Sequence, residues 1–251
     1  MYGLVADDVT GANATAARVA ARTGLAARVE LAGLPAGRPG PGAAPGLLRV
    51  IPTDSRALPP EEARRRVREA VAALRQAGCR RLGKRIDSTL RGNLGAELAG
   101  ALEALPGHLA VVVAAYPASG RATSGGRLFV HGVPLAETEA ARDPVTPVDD
   151  DRVAVLIGRQ SGLPVAYLAP PPGGYDHRLV EELAARWRAG IRVVVLDAAT
   201  EADIERIAAL VARVPLPVLA VDPGPFFASW LACGLGGGPE GGANPGAAGT
   251  E

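Results

Sequence analysis

CRRLGKRIDSTLRGN, residues 79–93, carries the reading of the whole chain. Its first eight residues read as a strand. The remainder, Asp87-Ser88-Thr89-Leu90-Arg91-Gly92-Asn93, is a polar turn ahead of a helical pattern. A strand, a polar loop and a helix in that order are the unit of an α/β sheet. The unit recurs. Apolar runs at 2–6, 26–31, 47–51, 79–86, 109–115, 165–168, 191–196 and 217–221 read as strands. Several are apolar on both faces, as a parallel sheet covered on both sides requires. Helical patterns fall between them at 11–23, 60–77, 94–105, 150–161, 178–189 and 201–213. In 60–77 the stripe Ala63, Val67, Ala70, Val71 and Leu74 has helical spacing. Pro59-Pro60-Glu61-Glu62 starts that helix and Gly78 stops it. The alternation predicts an α/β fold, doubly wound, with a mainly parallel sheet and helices on both faces.

Composition narrows the function. The chain has 251 residues, 48% hydrophobic and 21% charged, with a formal net charge of +1. That balance suits a globular core and argues against an extended nucleic-acid surface, which needs clustered positive charge. Cys79 and Cys233 stand far apart, and His108, His131 and His177 are scattered, so no disulfide framework or zinc site is indicated. Asp7-Asp8 interrupts the first apolar run, and no run approaches the roughly 18 residues of a membrane span. The expectation is a cytoplasmic protein without a membrane or nucleic-acid partner. Two segments read as unstructured: the Gly/Pro-rich 33–46, a surface loop, and the Gly-rich 234–251, a disordered tail or linker.

Ligands of open parallel sheets bind beyond the carboxyl ends of the strands. Four predicted strand ends carry polar clusters: Asp7-Asp8-Val9-Thr10, Thr53-Asp54-Ser55-Arg56, Asp87 to Asn93, and Tyr116 to Arg121. Each has a plain structural alternative. Asp and Thr are good helix N-caps, Thr53 to Arg56 could be a turn, and Ser88-Thr89 could cap the next helix. A cap explains one carboxylate, however, not the adjacent Asp7 and Asp8. Neighbouring carboxylates repel, which predicts a raised pKa for one of them, useful to a base or a metal. Lys84 is the only lysine; every other Lys/Arg position holds arginine. A compact ammonium on a flexible stem differs from a planar guanidinium fork. This reading places Lys84 on a small, anionic, hydroxyl-rich ligand. Neither GxxxxGK[ST] nor a GxGxxG after the first strand is present, which disfavours a dinucleotide-binding protein.

The segments ADDVTGANATA (6–16), TDSRALPPEEA (53–63), KRIDSTLRGNLGAEL (84–98), AAYPASGRAT (114–123), HGVPLAETEAARDPVTPV (131–148) and AVDPGPF (220–226) resemble, in this order, the four-carbon acid sugar kinase family. The resemblance implies an ATP-dependent kinase of threonate, erythronate or 3-oxo-tetronate built from two domains. Residues 1–233 would be the N-terminal, substrate-binding domain. The C-terminal nucleotide-binding domain, which would hold most of ATP and Mg²⁺, would be absent from this chain and supplied by a longer chain or a separate polypeptide. Asp7 and Asp8 would be catalytic. Asp8, Thr10, Arg56, Lys84, Asp87, Ser88 and Arg91 would bind the sugar acid. Two departures are visible. Lys84-Arg85 stands where the family usually has Lys-Lys, and Ala122-Thr123-Ser124-Gly125-Gly126 replaces a usual Thr-Thr-Val-Asn-Gly. The alternative is a sugar-acid-binding module or sensor that has lost catalysis.

Overall fold

The computed structural model describes residues 1–31 and 46–235. The main chain runs β1 (Tyr2–Ala6), α1 (Val9–Thr23), β2 (Ala26–Val29), β3 (Leu47–Pro52), α2 (Pro60–Gln76), β4 (Arg81–Arg85), α3 (Leu94–Glu103) and β5 (Leu109–Val112). It continues through β6 (Arg121–Ser124), β7 (Arg127–Val130), β8 (Val133–Pro134), α4 (Val153–Ser161), β9 (Val165–Leu168), α5 (Arg178–Arg188), β10 (Val193–Leu196), α6 (Glu201–Val211), β11 (Val218–Asp222) and α7 (Pro225–Leu235). Eight strands form one sheet in the order β2-β3-β1-β4-β11-β5-β10-β9. Every pairing in it is parallel.

Strand periodicity divides the core. Leu4, Val111, Val194 and Ala220 join α1, α5, α6 and α7 on one face. Val5, Val112, Val195 and Leu219 join α2, α3 and α4 on the other. Adjacent residues of one strand thus serve opposite layers. The expected doubly wound architecture is the observed one.

The winding decides where a ligand can sit. The chain leaves β1 through α1 on the first face, toward the β2 edge. It leaves β4 through α3 on the second face, toward β5. The loops after β1 and β4, which are neighbouring strands, therefore part in opposite directions. They open a crevice at the carboxyl edge of the sheet, the switch point at which such sheets bind ligands.

Two features lie outside the sequence expectation. The first is a three-stranded antiparallel sheet, β6-β7-β8, between β5 and α4. Its hairpins turn on Gly125-Gly126 and His131-Gly132, all at positive φ, the requirement of two-residue turns. The second is α7. Residues Pro225 to Leu231 are all buried, so the segment shows no amphipathic stripe to announce a helix. The predicted strand 26–31 ends at Val29. The predicted loop 33–46 lies, apart from Gly46, outside the described residues. Of the predicted tail, Gly234 and Leu235 complete α7 and the remainder lies outside the described residues. Among the described residues no helix is long and apolar enough to cross a membrane.

Helix α7 rests on β4 through an absent side chain. A Cβ on Gly83 would stand 2.5 Å from Phe227 Cδ2. Overpacking of that kind costs about 1–3 kcal/mol. Gly83→Val is expected to lower the urea midpoint accordingly; a midpoint equal to wild type would show that α7 has room to yield.

Candidate functional site

Alternation along β4 sorts its side chains. Leu82 and Ile86 belong to the layer of α2 and α3, and Lys84 shares their parity. Gly83 meets α7, and Arg85 lies so close to α1 that a Cβ on Gly11 would overlap its guanidinium. Lys84 is therefore driven into the core, with 0% of its surface exposed. Its ammonium lies 2.7 Å from Glu97 Oε2 on α3 and donates to the Arg85 carbonyl at 2.6 Å. Glu97 Oε1 accepts from Ser55 Oγ at 2.5 Å, and Ser55 Oγ meets Thr53 Oγ1 at 2.7 Å. Thr53 Oγ1 in turn donates to the Ala6 carbonyl at 3.0 Å. Asn93 Nδ2 donates to the Ser55 and Leu58 carbonyls. This buried chain ties together the loops that follow β1, β3 and β4.

Above it lies a lattice of alternating charge. Asp7 Oδ2 accepts from Arg56 Nε and its Oδ1 from Arg85 Nη1, both at 2.8 Å. Asp8 faces Arg56 Nη2 at 2.8 Å and Arg85 Nη1 at 3.0 Å, and also accepts from Gly11 N at 2.6 Å as the N-cap of α1. Arg56 Nη2 reaches Asp87 Oδ1 at 3.4 Å. Asp87 takes a two-pronged contact from Arg91, at 2.9 and 3.0 Å, and Thr89 Oγ1 donates to it at 2.6 Å. Arg91 Nη1 ends the chain on Asp143 Oδ2 at 3.1 Å. Beyond Arg91 opens a cleft of about 700 Å³ lined by Thr89, Arg91, Arg121, Glu139, Arg142 and Asp143 among others.

The lattice sets the charge states. Burial opposes the ionised form of Asp7, but Lys84, Arg85 and Arg56 together outweigh it and hold its pKa below the ordinary value. Asp87 is pushed up by burial and pulled down further by hydrogen bonds from Arg91 and Thr89 and by the Arg56 charge; the result lies far below the usual carboxylate range. Glu97 goes the other way. Its complete burial raises it, against the attraction of Lys84. At the end of β11 burial pushes Asp222 up to about 7, although it caps α7 through Gly224 N and Phe226 N.

The structure thus brings together five of the residues singled out in the sequence: Asp7, Asp8, Arg56, Asp87 and Arg91. Thr10 is exposed in the first turn of α1, and Ser88 is half-buried beside Asp87. Two expectations are corrected. Lys84 lies under the site, because strand parity turns it inward, and its ammonium is engaged by Glu97. The adjacent aspartates do not raise the pKa of Asp7, because two guanidiniums lie between them and the repulsion is relieved. Nor do these carboxylates fit a divalent cation, since every oxygen of Asp7 and Asp8 already faces a guanidinium. Among the described residues no cluster of three or more His, Cys, Asp or Glu forms a metal site. Sequence reasoning assigned no role to Arg85, Glu97 or Asp143. The alternation of apolar Leu82 and Ile86 around Lys84 was the signal for an inward partner such as Glu97.

Two measurements probe this architecture. Removing one member of a buried ion pair costs about 3–5 kcal/mol, whereas replacing both by apolar groups is often neutral. Lys84→Met is expected to destabilise by that amount, and Lys84→Met/Glu97→Leu to recover most of it in chemical denaturation; equal losses would mean that the pair is not coupled. Asp87 has a depressed pKa in the folded state. Its stabilisation is complete above its unfolded value near 3.8 and is lost as pH falls below it. Asp87→Asn should therefore flatten the acid limb of the stability–pH curve below about pH 4; an unchanged limb would contradict the assignment.

D-erythronate kinase of Heliobacterium modesticaldum is 47% identical over 226 residues, which cover 89% of this chain and 51% of that protein. D-threonate kinase of Salmonella typhimurium is 38% identical, covering 86% of this chain and 50% of its own length. A crystal structure from Bordetella bronchiseptica, described as a domain of unknown function with bound citrate in a domain-swapped dimer, superposes with a TM-score of 0.77 at 36% identity. It covers 92% of this chain and 55% of that one. The chain spans about half the length of the curated relatives it matches. The model of the sugar-binding N-terminal domain matches residues 2–230, and the chain belongs to that family.

Proposed function

We propose that this chain is the sugar-acid-binding part of an ATP-dependent kinase acting on a four-carbon hydroxy acid: erythronate, threonate or 3-oxo-tetronate. The observation that carries the reading is the half-open lattice of carboxylates and guanidiniums at the switch point. The names of the relatives supply the substrate class, and the citrate reported with the Bordetella structure is itself a hydroxyl-bearing carboxylate.

The two adjacent aspartates take different parts. Guanidiniums face the oxygens of both, but the Asp7 side chain is 3% exposed and that of Asp8 27% exposed. Asp8 is the carboxylate that a substrate hydroxyl can reach, and Asp7 anchors the arginines around it. In the transfer this reading requires, the hydroxyl oxygen would bond to the γ-phosphorus of ATP as that phosphorus parts from the ADP oxygen, with ADP leaving and the hydroxyl proton passing to Asp8. Phosphoryl transfer runs through a loose transition state in which positioning matters more than base strength. A carboxylate held among arginines suits that task. Thr10, exposed in the first turn of α1, and Ser88, half-buried beside Asp87, offer hydroxyls to the ligand.

ATP and Mg²⁺ are assigned to a nucleotide-binding domain, in a longer chain or a separate polypeptide, because the lattice leaves no carboxylate free for a cation and the chain has no phosphate loop. Calorimetric titration with D-erythronate, D-threonate, L-threonate and 3-oxo-tetronate tests the reading. One acid should bind, ATP–Mg²⁺ alone should not, and Asp8→Asn should weaken the acid by about tenfold or more, the worth of one charged hydrogen bond. Failure of all four acids to bind would overturn it.

A further inference from the structure

The sequence motifs nominate Arg56 and Arg91 to hold the carboxylate of the acid, but the structure has already committed both. Arg56 faces Asp7, Asp8 and Asp87. Arg91 grips both oxygens of Asp87 and reaches Asp143. A guanidinium surrounded by carboxylates has little charge left for another anion, and releasing it would leave a buried aspartate unpaired.

The cleft beside Arg91 holds two guanidiniums in a different state. Arg142 is exposed and takes part in no ion pair among the described residues. Arg121, at the start of β6, gives Nη1 to the Ser119 carbonyl and takes part in no ion pair among the described residues; its Nε is buried without a hydrogen-bond partner, as are Arg56 Nη2 and Arg85 Nε in the lattice. Arg121 lines the cleft without a carboxylate partner, so its charge is left for a ligand anion. The two carboxylates of the cleft are unequal. Asp143 is engaged by Arg91 and by the backbone N–H groups of Val145 and Thr146. Glu139 is exposed, with no ion pair among the described residues, and is left to accept from a hydroxyl.

Resting on the proposed function, we infer that Arg121 and Arg142 bind the carboxylate of the sugar acid and so determine its direction in the site. The acid lies with its carboxylate in the cleft and its hydroxyls toward Asp8. Arg91, held between Asp87 and Asp143, is the hinge of the two subsites rather than the anion clamp. The specificity for an acid over a neutral polyol then comes from the β6-β7-β8 insertion and the 138–144 turn, not from the parallel sheet.

The experiment is titration of wild type, Arg142→Gln, Arg121→Gln and Arg142→Lys with the acid that wild type binds best. Arg65→Gln serves as a control for loss of one positive charge, since Arg65 is exposed on α2 and held by Glu62 and Glu69. Each glutamine variant in the cleft should weaken the acid by about tenfold or more, Arg142→Lys should recover part of the loss, and Arg65→Gln should match wild type. Arg142 is exposed, so its variant tests the idea even if Arg121→Gln fails to fold, which circular dichroism would show. Unchanged affinity in Arg142→Gln, with wild type binding normally, overturns this inference alone. Absence of acid binding in wild type overturns the proposed function, and the inference with it.

Discussion

A fully buried ammonium is the constraint on which the site depends. Strand parity sends Lys84 into the layer beneath α3, where an ion without a partner would be prohibitively costly. Glu97 must therefore come from α3, and its second oxygen must be satisfied too, which recruits Ser55 from the loop after β3. Ser55 N also donates to the Asp7 carbonyl. One buried charge thus determines the spacing of three loops. The lone lysine belongs to this foundation. An arginine at 84 would place a larger fork where a compact ammonium fits between a carboxylate and a carbonyl.

The same charge acts upward. Lys84, Arg85 and Arg56 together keep Asp7 ionised despite its burial. An ionised Asp7 then holds Arg56 and Arg85 in place beside Asp8. The upper lattice is consequently rigid and nearly neutral. It can present hydroxyl acceptors at defined positions, but it cannot attract an anion strongly. In the proposed function this division separates orienting a hydroxyl, at the sheet edge, from neutralising an acid, at the flanking cleft.

The fold was legible in the sequence because its strands are apolar on both faces and its helices, such as 60–77, carry clear stripes. What escaped has physical causes. Helix α7 is buried all round and shows no periodicity. Strands β6 to β8 are two to four residues long, too short for alternation to register, although Gly125-Gly126 between two short runs was a usable hairpin signal. That Asp7, Asp8, Arg56, Asp87 and Arg91 lie together was legible because parallel strands send their following loops to one edge. Lys84 was misplaced because rarity was weighed above parity. Position 84 lies two residues from both Leu82 and Ile86, and that spacing decides its face. Arg85, one residue on, has the other parity and reaches Asp7 and Asp8 beside α1.

The open side of the site has an energetic consequence. At 4 Å a pair of unit charges is worth about 1 kcal/mol in bulk water and about 4 kcal/mol at the effective dielectric of a protein surface. Arg142 and Glu139 are exposed and Asp8 partly so, hence their contacts with a ligand lie toward the weaker limit. Asp7, Asp87 and Glu97 are already dry and need no covering. The chain therefore arrives with its orienting layer desolvated and its ligand-facing layer wet. Covering that layer would strengthen every ligand contact there without rearranging the lattice below, and would keep water from competing with the substrate hydroxyl at Asp8. In the proposed kinase this is the work left to the nucleotide-bearing part. It would bring the phosphoryl group and exclude solvent in one step, over a site whose geometry is already set.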